Sequence, residues 1–189
     1  SMIPYQKEKI ESAICFFAAE HYKKTKHYLY QTFLYKYLAL FEFGYLKKYG
    51  KTPLNLKYRA MEKGPVPVEI YSKRTENNWS ELFEFKQAED NNYIITPKNK
   101  PNLDYFSSRE IKLMNELIEI YAQNYVTSKL MSDVSHETIL AWVKTWNKEK
   151  NAFIDFSLEF SDDVLKKSES ALTFPEEVYL TQKGLENCV

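Results

Sequence analysis

Leu29-Tyr30-Gln31-Thr32-Phe33-Leu34-Tyr35-Lys36-Tyr37-Leu38-Ala39-Leu40-Phe41-Glu42-Phe43-Gly44-Tyr45-Leu46-Lys47-Lys48-Tyr49 is the stretch around which the fold must be built. Tyr30, Phe33, Leu34, Tyr37, Leu38, Phe41 and Tyr45 recur at the spacing of one helical face. Leu29, Leu40 and Phe43 carry the apolar surface round to the other side, so the spacing predicts a helix over Leu29 to Tyr49 that is buried on most faces. Lys47 and Lys48 suit the negative end of its dipole, Gly50 suits a left-handed cap, and Pro53 bars continuation.

On the N-terminal side, Pro4 suits a first helical turn, and Ile10, Ala13, Ile14, Phe17 and Ala18 form one apolar face of a helix running to about Tyr22. On the C-terminal side, residues 54–63 read as extended. Gly64-Pro65-Val66-Pro67 is non-helical until Pro67 opens a short helix through Tyr71, because a residue before proline is pushed out of the helical region. Leu82 to Ala88 and Tyr93 to Pro97 flank Asp90-Asn91-Asn92, whose side chains tolerate positive φ, and this predicts a β-hairpin. Ser107-Ser108-Arg109-Glu110 is a capping box, with Ile111, Met114, Leu117, Ile118 and Tyr121 as the buried stripe behind it. Thr127 or Ser128 caps a brief helix to about Val134, and Glu137 to Lys148 forms another. Ile154, Phe156, Leu158 and Phe160 alternate with polar residues, the period of a half-buried strand. The expected architecture is α+β and mainly α: one domain over residues 2–189, a central buried helix, a small hairpin and one further strand.

Composition bounds the function classes. Hydrophobic residues make up 44% and charged residues 28%, with 15 Tyr and 12 Phe among 189 residues, so aromatic side chains should dominate the core. The first 20 residues carry charges throughout, and no apolar run approaches the ~20 residues of a membrane span, so a cytoplasmic location and no membrane contact are expected. Lys and Arg total 26 and Asp and Glu total 26. Yet residues 1–75 hold 14 cations against 6 anions and residues 76–189 hold 12 against 20. That asymmetry suits either an acidic partner for the first half or two halves that pack together.

Catalytic chemistry is sparse. His21, His27 and His136 have no H-E-x-x-H or C-x-x-C context, so neither a metal nor any cofactor is expected. Four glycines leave no phosphate-cradling loop, and Cys15, one residue off an apolar stripe, reads as packing. The carboxylate pairs Asp162-Asp163 and Glu176-Glu177 read as solvated or capping groups. No enzyme is expected. A helix-turn-helix over residues 107–134 would make the chain a DNA-binding regulator, but residues 128–137 offer only Lys129 against Asp133 and Glu137, so nucleic acid is an improbable partner.

One segment departs from an ordinary helical domain: Tyr35 to Glu42, then Lys48-Tyr49-Gly50-Lys51-Thr52-Pro53, then Tyr58-Arg59-Ala60-Met61-Glu62-Lys63-Gly64-Pro65-Val66-Pro67 with Ile70-Tyr71. Together with Ser108 to Ile120, Leu130, Val134-Ser135-His136 and Trp142, it resembles the Panacea domain of SocA-like antitoxins over residues 25–146. The resemblance implies an antitoxin that neutralises a cognate protein toxin by direct binding. Tyr58, Lys63, Gly64, Pro65, Val66, Pro67, Tyr71, His136 and Trp142 are its candidate partner-binding residues. A rigid apolar loop presenting Val66 and Tyr71, ringed by Lys57, Lys63 and Lys73, is the expected anchor. For Tyr58, Gly64 and Pro65 a structural role is the favoured alternative, and for His136 with Trp142 a buried hydrogen-bonded pair or packing cluster. A proteolytic adaptor that delivers a bound protein to a protease is the third open reading.

Overall fold

In the computed structural model, which describes residues 3–161 and 163–188, every position from Phe33 to Phe43 is buried. This central helix, α2 (Gln31–Tyr49), ends as its sequence requires: Gly50 takes φ 78 and its N–H donates to the Leu46 carbonyl at 2.8 Å. Leu29 and Tyr30 leave the helix at its start and form a two-residue strand, β1 (Leu29–Tyr30). Helix α1 (Gln6–Thr25) lies against α2 through stacked aromatics, with Phe17 on Tyr37 at 4.9 Å between ring centroids. Tyr37, Tyr58, Phe17, Phe41 and Phe43 are among the largest fully buried side chains, so the core is aromatic as composition implied.

The chain leaves α2 through a connection tied down by Glu42, whose carboxylate accepts the N–H groups of Leu54 (2.7 Å) and Leu56 (2.9 Å). Strands β2 (Tyr58–Met61) and β3 (Gly64–Pro67) then form a hairpin, with Tyr58 opposite Pro67 and Met61 opposite Gly64. The sequence reading made residues 64–67 irregular. Two prolines argue against a strand, yet prolines are tolerated where a strand pairs on one side only. Pro67 then caps α3 (Val68–Lys73), as expected.

The predicted hairpin is present as β4 (Phe83–Gln87) and β5 (Tyr93–Pro97), with Asp90 and Asn91 at φ 59 and 61 in its turn. It joins β1 in a sheet ordered β1-β5-β4. Helix α4 (Ser108–Tyr121) starts at the capping box, Ser107 and Glu110 each accepting the other's N–H, and Glu110 also pairs with buried Lys9 at 2.8 Å. Thr127 caps α5 (Ser128–Thr138), and α6 (Leu140–Lys148) follows after a break at extended Ile139. The helix expected from Glu137 is therefore two pieces.

The strand expected over 154–160 is not there. Residues 151–154 bond to the outer edge of β2 (Asn151 N–H to the Ala60 carbonyl and Ile154 N–H to the Tyr58 carbonyl, both 2.9 Å), and Phe156–Glu159 is a single 3₁₀ turn. Asp155 starts that turn by accepting the Ser157 N–H at 2.9 Å. Glu159, placed on a solvent face by the alternation, is instead 1% exposed and accepts the Ala141 N–H at the start of α6 at 2.9 Å. Beyond Ser161, where a short helix and a tail are expected, helix α7 (Phe174–Asn187) begins at a Thr173–Glu176 capping box and packs on α2, so Glu176 has the capping role expected of it. Asp162 lies outside the described residues. Cys15 is fully buried, its thiol pushed up to about 11 by that burial, in keeping with a packing role.

Candidate functional site: the corner of β2, β3, α5 and α6

The β2–β3 hairpin turns at Glu62-Lys63, and Gly64 absorbs the strain of that turn with φ 122. A second reason holds a glycine here. A Cβ on Gly64 would lie 2.6 Å from the Lys36 Nζ and 2.9 Å from the Ser135 Oγ. Lys36 comes from the middle of α2 and donates to the Lys63 carbonyl, which also accepts from the Ser132 Oγ of α5 at 2.6 Å. Burial, and then the Lys63 charge, lower the Lys36 ammonium to about 8.

The break at Ile139 creates the next contact. Residues six apart on one continuous helix point in different directions, but here His136 and Trp142 stack face to face at 3.9 Å and 4°. The Trp142 indole N–H donates to the Met61 carbonyl at 2.8 Å, so the pair braces the hairpin from beneath. Burial, followed by the Lys36 charge, holds His136 below its ordinary range.

The sequence-predicted residues divide by depth. Tyr58 is 1% exposed, with its ring on Phe43 and its hydroxyl donating to the Leu38 carbonyl, so it is a core residue and not a contact surface. Gly64, Pro65, Pro67 and Trp142 are buried and shape the hairpin from within; their part in any contact is indirect. Lys63 and Tyr71 are exposed, and Val66 and His136 are half-buried. Lys57 is exposed as well, while Lys73 is partly covered and pairs with Glu69 at 3.0 Å.

Sequence reasoning missed Lys36, Met61, Arg74 and Phe153. Arg74 lies over the Tyr71 ring at 3.7 Å and Arg59 over the Phe153 ring at 4.0 Å, each cation covering one ring face, while Met61, Tyr71 and Phe153 remain exposed. A groove of about 440 Å³ opens there, lined by Tyr35, Lys36, Arg59, Met61, Val66 and Tyr71 among others. The available signal was in α2: from Phe33 to Phe43 the charged residues are Lys36 and Glu42, and a charge inside such a run must be matched or used.

Helix α5 turns Met131, Ser132 and Ser135 inward, leaving Lys129, Leu130, Asp133 and Glu137 on its outer side. Among the described residues no three His, Cys, Asp or Glu side chains converge as a metal site, and no helix is long and apolar enough to cross a membrane.

No curated protein and no solved structure matches the chain. A protein family does. Residues 34–143, more than half of the chain, match the family described as antitoxin SocA-like, Panacea domain. The matched span begins in α2, contains the whole hairpin and α5, and ends just past Trp142, so it encloses each of these interlocking parts. The chain therefore belongs to the SocA-like antitoxin family and carries its Panacea domain.

Proposed function

We propose that the protein is an antitoxin that neutralises a cognate protein toxin in the cytoplasm by direct binding across the open face of the β2–β3 hairpin. The family membership supports the class of function. The observation that carries the location is the exposure of Met61 (36%) and Tyr71 (45%) around one groove on a braced, proline-stiffened hairpin. Large apolar side chains held rigidly lose little entropy on binding and make good anchors. Arg59, Lys63 and Arg74 stand at the rim, where charge mainly speeds encounter and selects the partner.

The test is co-expression with the protein encoded beside it, scored by growth rescue and by capture on the tagged antitoxin. Wild type should restore growth and retain its partner, and Tyr71→Asp or Met61→Asp should lose both while melting as wild type does. Rescue that persists in both variants would move the interface elsewhere. Rescue accompanied by disappearance of the toxin only in protease-proficient cells would instead make the protein an adaptor.

A further inference from the structure

Lys36 differs from every other buried charged side chain described. Lys9 is paired with Glu110 at 2.8 Å, Glu11 with Lys7 at 3.5 Å, and Glu176 with Lys167 at 3.0 Å. Glu42 accepts two backbone N–H groups and Glu159 accepts one. Lys36 is 2% exposed, and among the described residues its hydrogen-bond partner is the Lys63 carbonyl, with no carboxylate in reach. That carbonyl already has the Ser132 hydroxyl, so the lysine is not needed to satisfy it. An ammonium carries three donors, and a methionine of similar length would fill the space without desolvating a charge. With one acceptor shown for its three donors, the ammonium retains capacity to meet an anion.

The surroundings say which anion. The groove that Lys36 lines carries the apolar side chains of Tyr35, Met61, Val66 and Tyr71, and among its other charged lining residues the cations Arg59 and Lys63 outnumber Glu62. Gly64 makes room for the ammonium itself, since any Cβ would sit 2.6 Å from it. The groove also runs out onto the exposed Met61 and Tyr71, which a small free carboxylate would leave uncovered.

We propose that this groove seats an acidic side chain of the toxin, its carboxylate received by Lys36 and its apolar neighbour lodged against Met61, Val66 and Tyr71. The inference rests on the antitoxin reading above. Affinity would then depend on a charge met only inside the groove, while the rim cations draw the segment in.

Two measurements test it. In the first, the full chain is titrated with N-acetyl-Leu-Glu-amide and N-acetyl-Leu-Gln-amide, following the backbone amide resonances of Gly64 and Ser135. The Glu peptide should bind about tenfold more tightly or better, and Lys36→Met should abolish that preference while melting no lower than wild type. Equal binding of the two peptides, no binding of either, or a Glu preference that survives in Lys36→Met would overturn the proposal. In the second, capture of the neighbouring gene's protein is compared for Lys36→Met and Tyr71→Asp. Loss of capture in both supports the carboxylate seat. Loss in Tyr71→Asp alone removes the seat and leaves the binding face standing, and loss in neither removes the face itself.

Discussion

Between α1 and α2, Phe17 lies flat on Tyr37 and edge-on to Phe41, and His21 closes the layer by bonding the Tyr37 hydroxyl at 2.8 Å. Between β3 and α5 the buried space holds Lys36, Ser132 and Ser135, a glycine at φ 122 and a carbonyl shared by two donors. Both regions are shielded from water, but they owe their order to different forces. The first is held by area removed from water, which is non-directional and spread over many rings. The second is held by a few polar contacts whose geometry must be right, because an unmatched buried polar group is costly. A region of the first kind sets stability; a region of the second kind sets shape, and here it supports the exposed face.

Truncation should expose that contrast most strongly in the aromatic layer. Phe17→Ala removes a fully buried ring and leaves a cavity, so it should cost about 4 kcal/mol of unfolding free energy in denaturant titrations. A value below about 1 kcal/mol would mean that the layer repacks freely and the contrast is false.

The one titrating group in that layer gives the next largest effect. Burial, and then the charge of His27, lower His21 to about 4, well under the 6.5 of an exposed histidine. The unfolded chain therefore takes up a proton between pH 6.5 and 4 that the folded chain does not. The His21 contribution is complete above pH 6.5 and is lost as pH falls toward 4, by up to about 3 kcal/mol. Glu42 and Glu159, both pushed up to about 7 by burial, have the opposite sign: they favour the fold as pH drops below 7. The isolating measurement is the difference between wild type and His21→Gln. It should shrink steadily from pH 6.5 to 4.5, and a constant difference would show that His21 does not titrate with folding.

At the other corner, Gly64→Ala should cost about 2 kcal/mol, since φ 122 is a conformation that residues with a Cβ rarely adopt and the new atom meets Lys36 and Ser135. Pairing it with Lys36→Met sharpens the comparison. If the two sites are coupled through that contact, part of the loss should be recovered in the double variant, whereas strict additivity would leave the backbone strain as the whole effect. Smallest in stability is Tyr71→Ala, within about 0.5 kcal/mol, because its ring is 45% exposed over Arg74. The same variant should raise the dissociation rate of the bound toxin about tenfold, the size expected of an apolar anchor. A marked loss of melting temperature instead would place Tyr71 with the core.

Elements whose signals are local were legible in the chain itself. Apolar spacing over Leu29 to Tyr49 marked a helix buried on most faces, Ser107 with Glu110 marked a helix start, and Asp90-Asn91 marked a tight turn. Such signals act within one or two turns of chain, where spacing alone decides which groups can meet. The misreadings share the opposite property. Residues 64–67 became a strand because residues 58–61 were available to pair, and the alternation at 154–160 gave way to a turn because Glu159 was needed at the start of α6.

Family resemblance was carried by segments spread over residues 25–146, and of the two roles open to Tyr58, partner contact and structure, its burial favours the structural one. The amino-acid sequence by itself determined the central helix, the caps, the aromatic character of the core and the membership of an antitoxin family. Tertiary structure decided which of the marked residues reach the surface, that His136 and Trp142 meet face to face, and that Lys36 is buried without a counter-charge. The physical reason is range: helical period and capping are settled by neighbours a few residues apart, whereas burial of a charge depends on chain more than twenty residues away, from Lys63 at the hairpin turn to Ser132 on α5.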